Sequence, residues 1–125
     1  MIIGLGIDQV GIDRVARLWK RYGERFARRV YTRAERDYCL ARPDPAPSLA
    51  ARFAAKEAAM KALGRGWPAG ISFADIEVTR EASGRPGLRF VNAAARRAEA
   101  IGLDRAVVSL THDRTFASAT VLFEG

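Results

Sequence analysis

The stretch from Arg52 to Gly64 reads Arg-Phe-Ala-Ala-Lys-Glu-Ala-Ala-Met-Lys-Ala-Leu-Gly. No other stretch restricts the fold as much. Ala, Leu, Met, Lys and Glu are strong helix formers. No proline interrupts them, and Gly64 suits the position just past a helix end. A helix is expected from about Ser48 to Leu63. Phe53, Glu57, Lys61 and Gly64 recur at i, i+4, i+8 and i+11, so they share one side of it. Apolar Phe53 and Met60 turn that side, or its border, inward. A carboxylate and an ammonium there need a reason. Either they form a solvated Glu→Lys pair one turn apart, worth roughly a few tenths of a kcal/mol, or they do chemistry.

The flanking sequence places this helix in an α+β fold. Residues 2–7 are apolar, punctuated by glycine and expected as a buried strand, with Asp8 at its end. Asp13 can cap a helix carrying Val15, Leu18, Trp19 and Tyr22 at helical spacing, which Gly23 interrupts before Phe26 and Val30. Thr32-Arg33-Ala34-Glu35 is a capping box. It opens a helix that carries Tyr38 and Cys39 and ends before Pro43. Residues 42–48 form a Pro-rich loop, and residues 64–70 a turn-rich loop whose three glycines let backbone approach a ligand. Alternation from about Asp75, a turn at 81–87 and Leu88 to Val91 predict a hairpin. Asn92 can cap a last helix that stops at Gly102. Residues 106–111 and 116–123 alternate with period two and form a second hairpin linked by His112-Asp113-Arg114-Thr115. Helices early and strands late predict helices packed on an antiparallel sheet, in a single domain over 1–125.

Composition narrows the function classes. The chain has 125 residues, of which 49% are hydrophobic and 28% charged, a globular balance. One cysteine, Cys39, excludes an internal disulfide and a zinc site built on cysteine clusters. Cys39 is expected to be a small core residue. With no basic leader and no long apolar run, the expected location is the cytoplasm, away from any membrane. The formal charge of +7 points to an anionic partner. Arg14, Arg17, Lys20, Arg21, Arg25, Arg28 and Arg29 concentrate it early in the chain. A nucleic-acid grip is disfavoured, because Trp19 and Tyr22 are expected on the apolar side and leave no exposed aromatics for base stacking.

No Walker A or Rossmann glycine pattern and no Ser-His-Asp order is present. What remains is Asp8, Glu57, Lys61 and His112. Two carboxylates, completed by waters and substrate phosphates, are how proteins usually hold Mg²⁺. Lys61 could then meet a phosphate as a point charge. A Mg²⁺ nuclease fits less well, since its acidic residue and lysine normally sit two apart on a strand and here are four apart on a helix.

These pieces resemble a known family. Gly6-Ile7-Asp8-Gln9-Val10 with Arg14-Val15, the Arg52–Gly64 stretch, Phe73–Val78 with Gly84-Arg85-Pro86, and Val108-Ser109-Leu110-Thr111-His112-Asp113 occur in the order of the small bacterial 4′-phosphopantetheinyl transferases. Gly11 departs from the acidic residue many relatives carry there. The resemblance implies transfer of 4′-phosphopantetheine from coenzyme A to a serine of an acidic apo-acyl carrier protein in fatty acid biosynthesis, releasing 3′,5′-ADP. It implies Mg²⁺ on Asp8 and Glu57, and Lys61 on the phosphates. Gly64 would lie beside the ligand. Gly84, Arg85, Pro86, Ser109 and His112 would hold the adenosine and 3′-phosphate end, and Arg14 and Arg21 would dock the carrier. It further implies a homotrimer with interfacial active sites. Glu57 is the candidate base, directly or through water.

Overall fold

The computed structural model describes residues 1–64 and 70–125; Arg65 to Ala69, the middle of the glycine-rich loop, lie outside the described residues. The element order is β1 (Ile2–Gly11), α1 (Ile12–Tyr22), α2 (Glu24–Val30), α3 (Arg33–Leu40), α4 (Ala46–Leu63), β2 (Ile76–Arg80), β3 (Pro86–Phe90), α5 (Asn92–Ala100), β4 (Arg105–His112) and β5 (Phe116–Glu124). A 3-10 turn at Phe73–Asp75 introduces β2. The sheet is antiparallel in the order β1-β5-β4, and β2-β3 is a separate hairpin. This is the expected α+β architecture of helices on an antiparallel sheet.

Helix α4 lies across β1 and β5, and 14 of its 18 residues are buried, so it is enclosed on nearly every side rather than along one face. That explains its alanines: a helix packed all round needs small side chains to let its neighbours close in. Two glycines of β1 answer them. A Cβ on Gly6 would sit 1.8 Å from the Ala58 carbonyl oxygen, and one on Gly4 would sit 2.4 Å from that of Ala62. Strand backbone therefore rests directly on helix backbone, and this contact sets the height of β1 against α4.

Glu35 and Lys56 tie three elements together inside the protein. Lys56 Nζ lies 2.7 Å from Glu35 Oε1, and both side chains are fully buried. It also donates to the carbonyls of Phe73, at 3.0 Å, and Ile76. Glu35 in turn accepts from the backbone N–H groups of Thr32 at 2.8 Å and Val78 at 2.9 Å. Burial pulls the Lys56 pKa below its ordinary value, while the Glu35 carboxylate opposes that pull. Cys39 is buried, as expected.

Several local signals hold. The Thr32 capping box forms with both of its hydrogen bonds, Gly23 breaks the first helical run with φ +54°, and Gly64 ends α4 with φ +73°. Others are corrected. The first strand runs on to Gly11, so Asp8 lies within β1 and not at its end. Gly11, not Asp13, is the N-cap of α1; Asp13 falls inside the first turn. Helix α4 starts at Ala46 and takes Pro47 into its first turn, where a missing N–H is harmless. Strand β3 begins at Pro86, and α5 ends at Ala100. Val91 holds the N-cap of α5, while the Asn92 amide reaches Asp75 Oδ1 at 3.3 Å. Tyr22 is 42% exposed rather than inward, with the Arg21 guanidinium 5.2 Å from its ring centre. His112 is the last residue of β4; Asp113 makes the turn, its Oδ1 accepting from the N–H groups of Thr115 and Phe116 at 2.8 Å each.

Candidate active site

Side chains alternate along β1, so Gly4, Gly6, Asp8 and Val10 share the face turned to α4. Once the two glycines have seated the strand on the helix, Asp8 arrives opposite the last two turns of α4. Lys61 Nζ lies 3.1 Å from Asp8 Oδ1 and donates to the Ile7 carbonyl at 3.0 Å. Glu57, half-buried one turn earlier, faces the same place. Its pKa is raised above the ordinary carboxylate value by burial and then by the Asp8 charge, against the opposing pull of Lys61 and Arg14. Two carboxylates standing close enough to feel each other are unusual in a fold and mark a place for chemistry. Among the described residues no third His, Cys, Asp or Glu joins them. Two carboxylates suit Mg²⁺, which keeps much of its hydration and takes few protein ligands, and do not suit a closed zinc site.

A second polar cluster lies at the other edge of the sheet. Asp8 is on edge strand β1 and His112 on edge strand β4, with β5 between them. A cleft of about 260 Å³ there is lined by Tyr38, Arg42, Ser48, Arg52, Arg80 and His112. The guanidiniums of Arg42, Arg52 and Arg80 stand 4.9, 4.4 and 4.5 Å from the Tyr38 ring centre. The Gly84-Arg85-Pro86 turn abuts this cleft: Pro86 pairs with Arg80 across the hairpin, and a Cβ on Gly84 would meet the Arg80 guanidinium at 3.4 Å. Ser109 is exposed on the opposite sheet face from His112, in a row with Thr120 and Ile7. Within one chain, therefore, Ser109 and His112 do not share a pocket.

Comparison with known proteins gives the family. Residues 4–117 match the 4′-phosphopantetheinyl transferase superfamily. Over 124 residues the chain is 49% identical to the holo-[acyl-carrier-protein] synthase of Maridesulfovibrio salexigens, covering 99% of both chains. The chain belongs to the holo-[acyl-carrier-protein] synthases. A second synthase, from Koribacter versatilis, is 46% identical over 99% of both chains. Among solved structures, the Neisseria meningitidis synthase superposes with a TM-score of 0.91 at 35% identity, covering all of both chains. The Helicobacter pylori synthase, solved in complex with coenzyme A, gives 0.85 at 30% identity, covering 96% of this chain and 99% of its own. This chain is accordingly an enzyme, a synthase of the phosphopantetheinyl transferase type.

The basic helices α1 and α2 carry the remaining predicted residues. Arg14 and Arg21 are exposed on α1, and a groove of about 670 Å³ runs beside them, lined by Leu18, Tyr22 and Phe26 between Arg25, Arg28 and Arg29. Arg42, Arg52, Arg80 and Tyr38 escape a reading of sequence alone. They come from three separate parts of the chain, and the sole local hint is an arginine, Arg52, inside an alanine-rich helix. Among the described residues, no helix is long and apolar enough to cross a membrane.

Proposed function

We propose that the enzyme transfers 4′-phosphopantetheine from coenzyme A to a serine of an acidic apo-acyl carrier protein, with Mg²⁺, releasing 3′,5′-ADP. The observation that carries this is the convergence of Asp8, Glu57 and Lys61 over the glycine contact between β1 and α4. The serine oxygen attacks the β-phosphorus of the pyrophosphate, and the bond from that phosphorus to the leaving 3′,5′-ADP breaks. Asp8 and Glu57 would hold Mg²⁺, which when bound supplies positive charge to the pyrophosphate. Lys61 is half-exposed, so its ammonium can turn to a phosphate oxygen as negative charge moves to the leaving group. Glu57 takes the serine proton, directly or through water; a raised carboxylate is a better base than an ordinary one. Arg14 and Arg21 dock the carrier, whose acidic surface their charge complements.

Gly84, Arg85, Pro86, Ser109 and His112 hold the adenosine and 3′-phosphate end of coenzyme A, and Gly64 lies beside the ligand. The halves of this site lie at opposite sheet edges, which supports assembly. Leu5 and Ile7 are 63% and 65% exposed and share the outer sheet face with Phe116 at 44%. A homotrimer would cover that apolar face and bring one copy's β4 edge beside another copy's Asp8. We place the enzyme in fatty acid biosynthesis in the cytoplasm, with no nucleic-acid or membrane partner.

The test is to incubate the enzyme with coenzyme A, Mg²⁺ and apo-carrier and weigh the carrier by mass spectrometry. The expected result is a gain of one phosphopantetheine that a chelator prevents. No gain with any of several carriers would overturn the proposal.

A further inference from the structure

Helix α4 ends against a cation that is not its own. The last carbonyls of a helix have no partner within it and carry its negative pole, so a positive side chain is favoured there. Lys61 is the basic residue of the last turn of α4, yet its ammonium turns away to Asp8 and the Ile7 carbonyl. Arg97, from α5, takes the terminal position instead. Its Nε donates to the carbonyl of Leu63, the last residue of α4, at 2.9 Å. Its guanidinium lies along the same turn, since a Cβ on Gly64 would stand 3.5 Å from one of its nitrogens. The Gly64 N–H completes that turn by donating to the Lys61 carbonyl at 3.1 Å. Arg97 is itself held from behind. It lies between the buried Ala94 and Ala98 on the inward flank of α5 and is half-buried. The start of α5 is tied to the turn before β2: the Val91 N–H donates to the Asp75 carbonyl at 2.9 Å, and the Asn92 amide to Asp75 Oδ1 at 3.3 Å. Among the described residues, no carboxylate pairs with the Arg97 guanidinium.

We propose that Arg97 is a positioning residue for transfer: by closing the C-terminal turn of α4 from outside, it fixes Lys61 opposite Asp8 and leaves the lysine ammonium to the site. This rests on the reading of Lys61 as a phosphate contact in transfer from coenzyme A. Arg97 acts through Lys61. Without the guanidinium the last turn of α4 frays, and the ammonium that must meet negative charge on the leaving group is no longer held at one place. Glu57 lies one turn earlier, inside the hydrogen-bonded body of the helix, and keeps its position.

The experiment is a double-mutant cycle. It measures kcat and KM for coenzyme A in the parent, Arg97→Ala, Lys61→Met and the variant carrying both, with melting temperatures alongside. Arg97→Ala should lower kcat by about tenfold with little change in KM. Arg97→Lys, whose ammonium can also serve a helix C-terminus, should recover kcat to within about threefold of the parent. Arg96→Ala removes an equal charge from the exposed side of the same helix and should leave transfer unchanged. Lys61→Met should itself be slower by about a hundredfold. In that background Arg97→Ala should cost less than about twofold more, because the group it positions is gone. A loss as large in the Lys61→Met background as in the parent would overturn the proposal, and so would an unchanged kcat in Arg97→Ala. Should Arg97→Ala fail to fold, Arg97→Gln takes its place in the cycle under the same two criteria. Near-normal transfer by Lys61→Met would sink the reading of Lys61, and the proposal with it. If the parent transfers to no carrier, the transfer reading has failed, and amide hydrogen exchange decides the positioning separately. The Gly64 amide must then exchange about tenfold faster in Arg97→Ala and at the parent rate in Arg96→Ala; equal rates in all three proteins would overturn the proposal.

Discussion

Helix α4 carries two lysine–carboxylate pairs, and they are opposites. Lys56 meets Glu35 in full burial, with two backbone carbonyls taking its remaining donors and two backbone N–H groups filling Glu35. Lys61 meets Asp8 at 3.1 Å with 55% of its side chain exposed, and beside it stands Glu57, a second, half-buried carboxylate. The first pair is closed: every charge has its partner, and nothing is left for a ligand. The second is open: Asp8 and Glu57 stand with Lys61 and Arg14 in a solvent-accessible place, which a metal and a phosphate can reach. The same residue types, five positions apart on one helix, thus serve architecture and chemistry. Satisfaction of valence, more than residue identity, tells them apart.

Breaking the closed pair should have the largest effect. Lys56→Met leaves Glu35 buried without its cation and is expected to destabilise the fold by about 3–5 kcal/mol, read by denaturant titration. A loss under about 1 kcal/mol would show that the pair is not the tie described. The glycine contact comes next. Gly6→Ala puts a methyl 1.8 Å from the Ala58 carbonyl, so β1 must lift from α4. That overpacking should cost about 1–3 kcal/mol. It should also move Asp8 away from Glu57, so that transfer falls more than stability explains at a temperature where the variant is folded.

The smallest effect is a pH dependence at the open pair. The raised pKa of Glu57 means that the folded state holds its proton more tightly than the unfolded chain. Stability from that source is fully present below the unfolded value and is lost as pH rises through the folded one. Gln at this position titrates nowhere. Measured without metal, the melting temperature of Glu57→Gln relative to the parent should therefore climb as pH rises through that window. A flat difference would mean that neither burial nor the Asp8 charge raises the Glu57 pKa.

The local half of this structure is written in the sequence and the long-range half is not. The Thr32 capping box and the glycines that end helices were legible because their partners lie within a turn. Asp13 and Asn92 misled, because a good capping residue is also a good residue one position inside the helix or, like Asn92, free to bond a distant Asp75. Lys56 could not be told from Lys61, since Glu35 lies 21 residues away and only packing shows which lysine is enclosed. Gly4 and Gly6 look like flexible strand residues until the carbonyls of Ala62 and Ala58 are placed beside them. Asp8, Glu57 and Lys61 were found through resemblance and through the oddity of charge on an inward helix face. The Tyr38 cluster had neither aid: α3, the loop after it, α4 and β2 must all be folded before its arginines meet.

The most direct test of the open pair compares Glu57→Gln with the parent enzyme, each given coenzyme A, Mg²⁺ and apo-carrier protein, with the carrier weighed over time and the melting temperature of each protein recorded. Transfer should fall by about a thousandfold or more while the variant melts no lower than the parent. Near-normal transfer by a folded Glu57→Gln enzyme would contradict the assignment of Asp8 and Glu57 as its chemical centre.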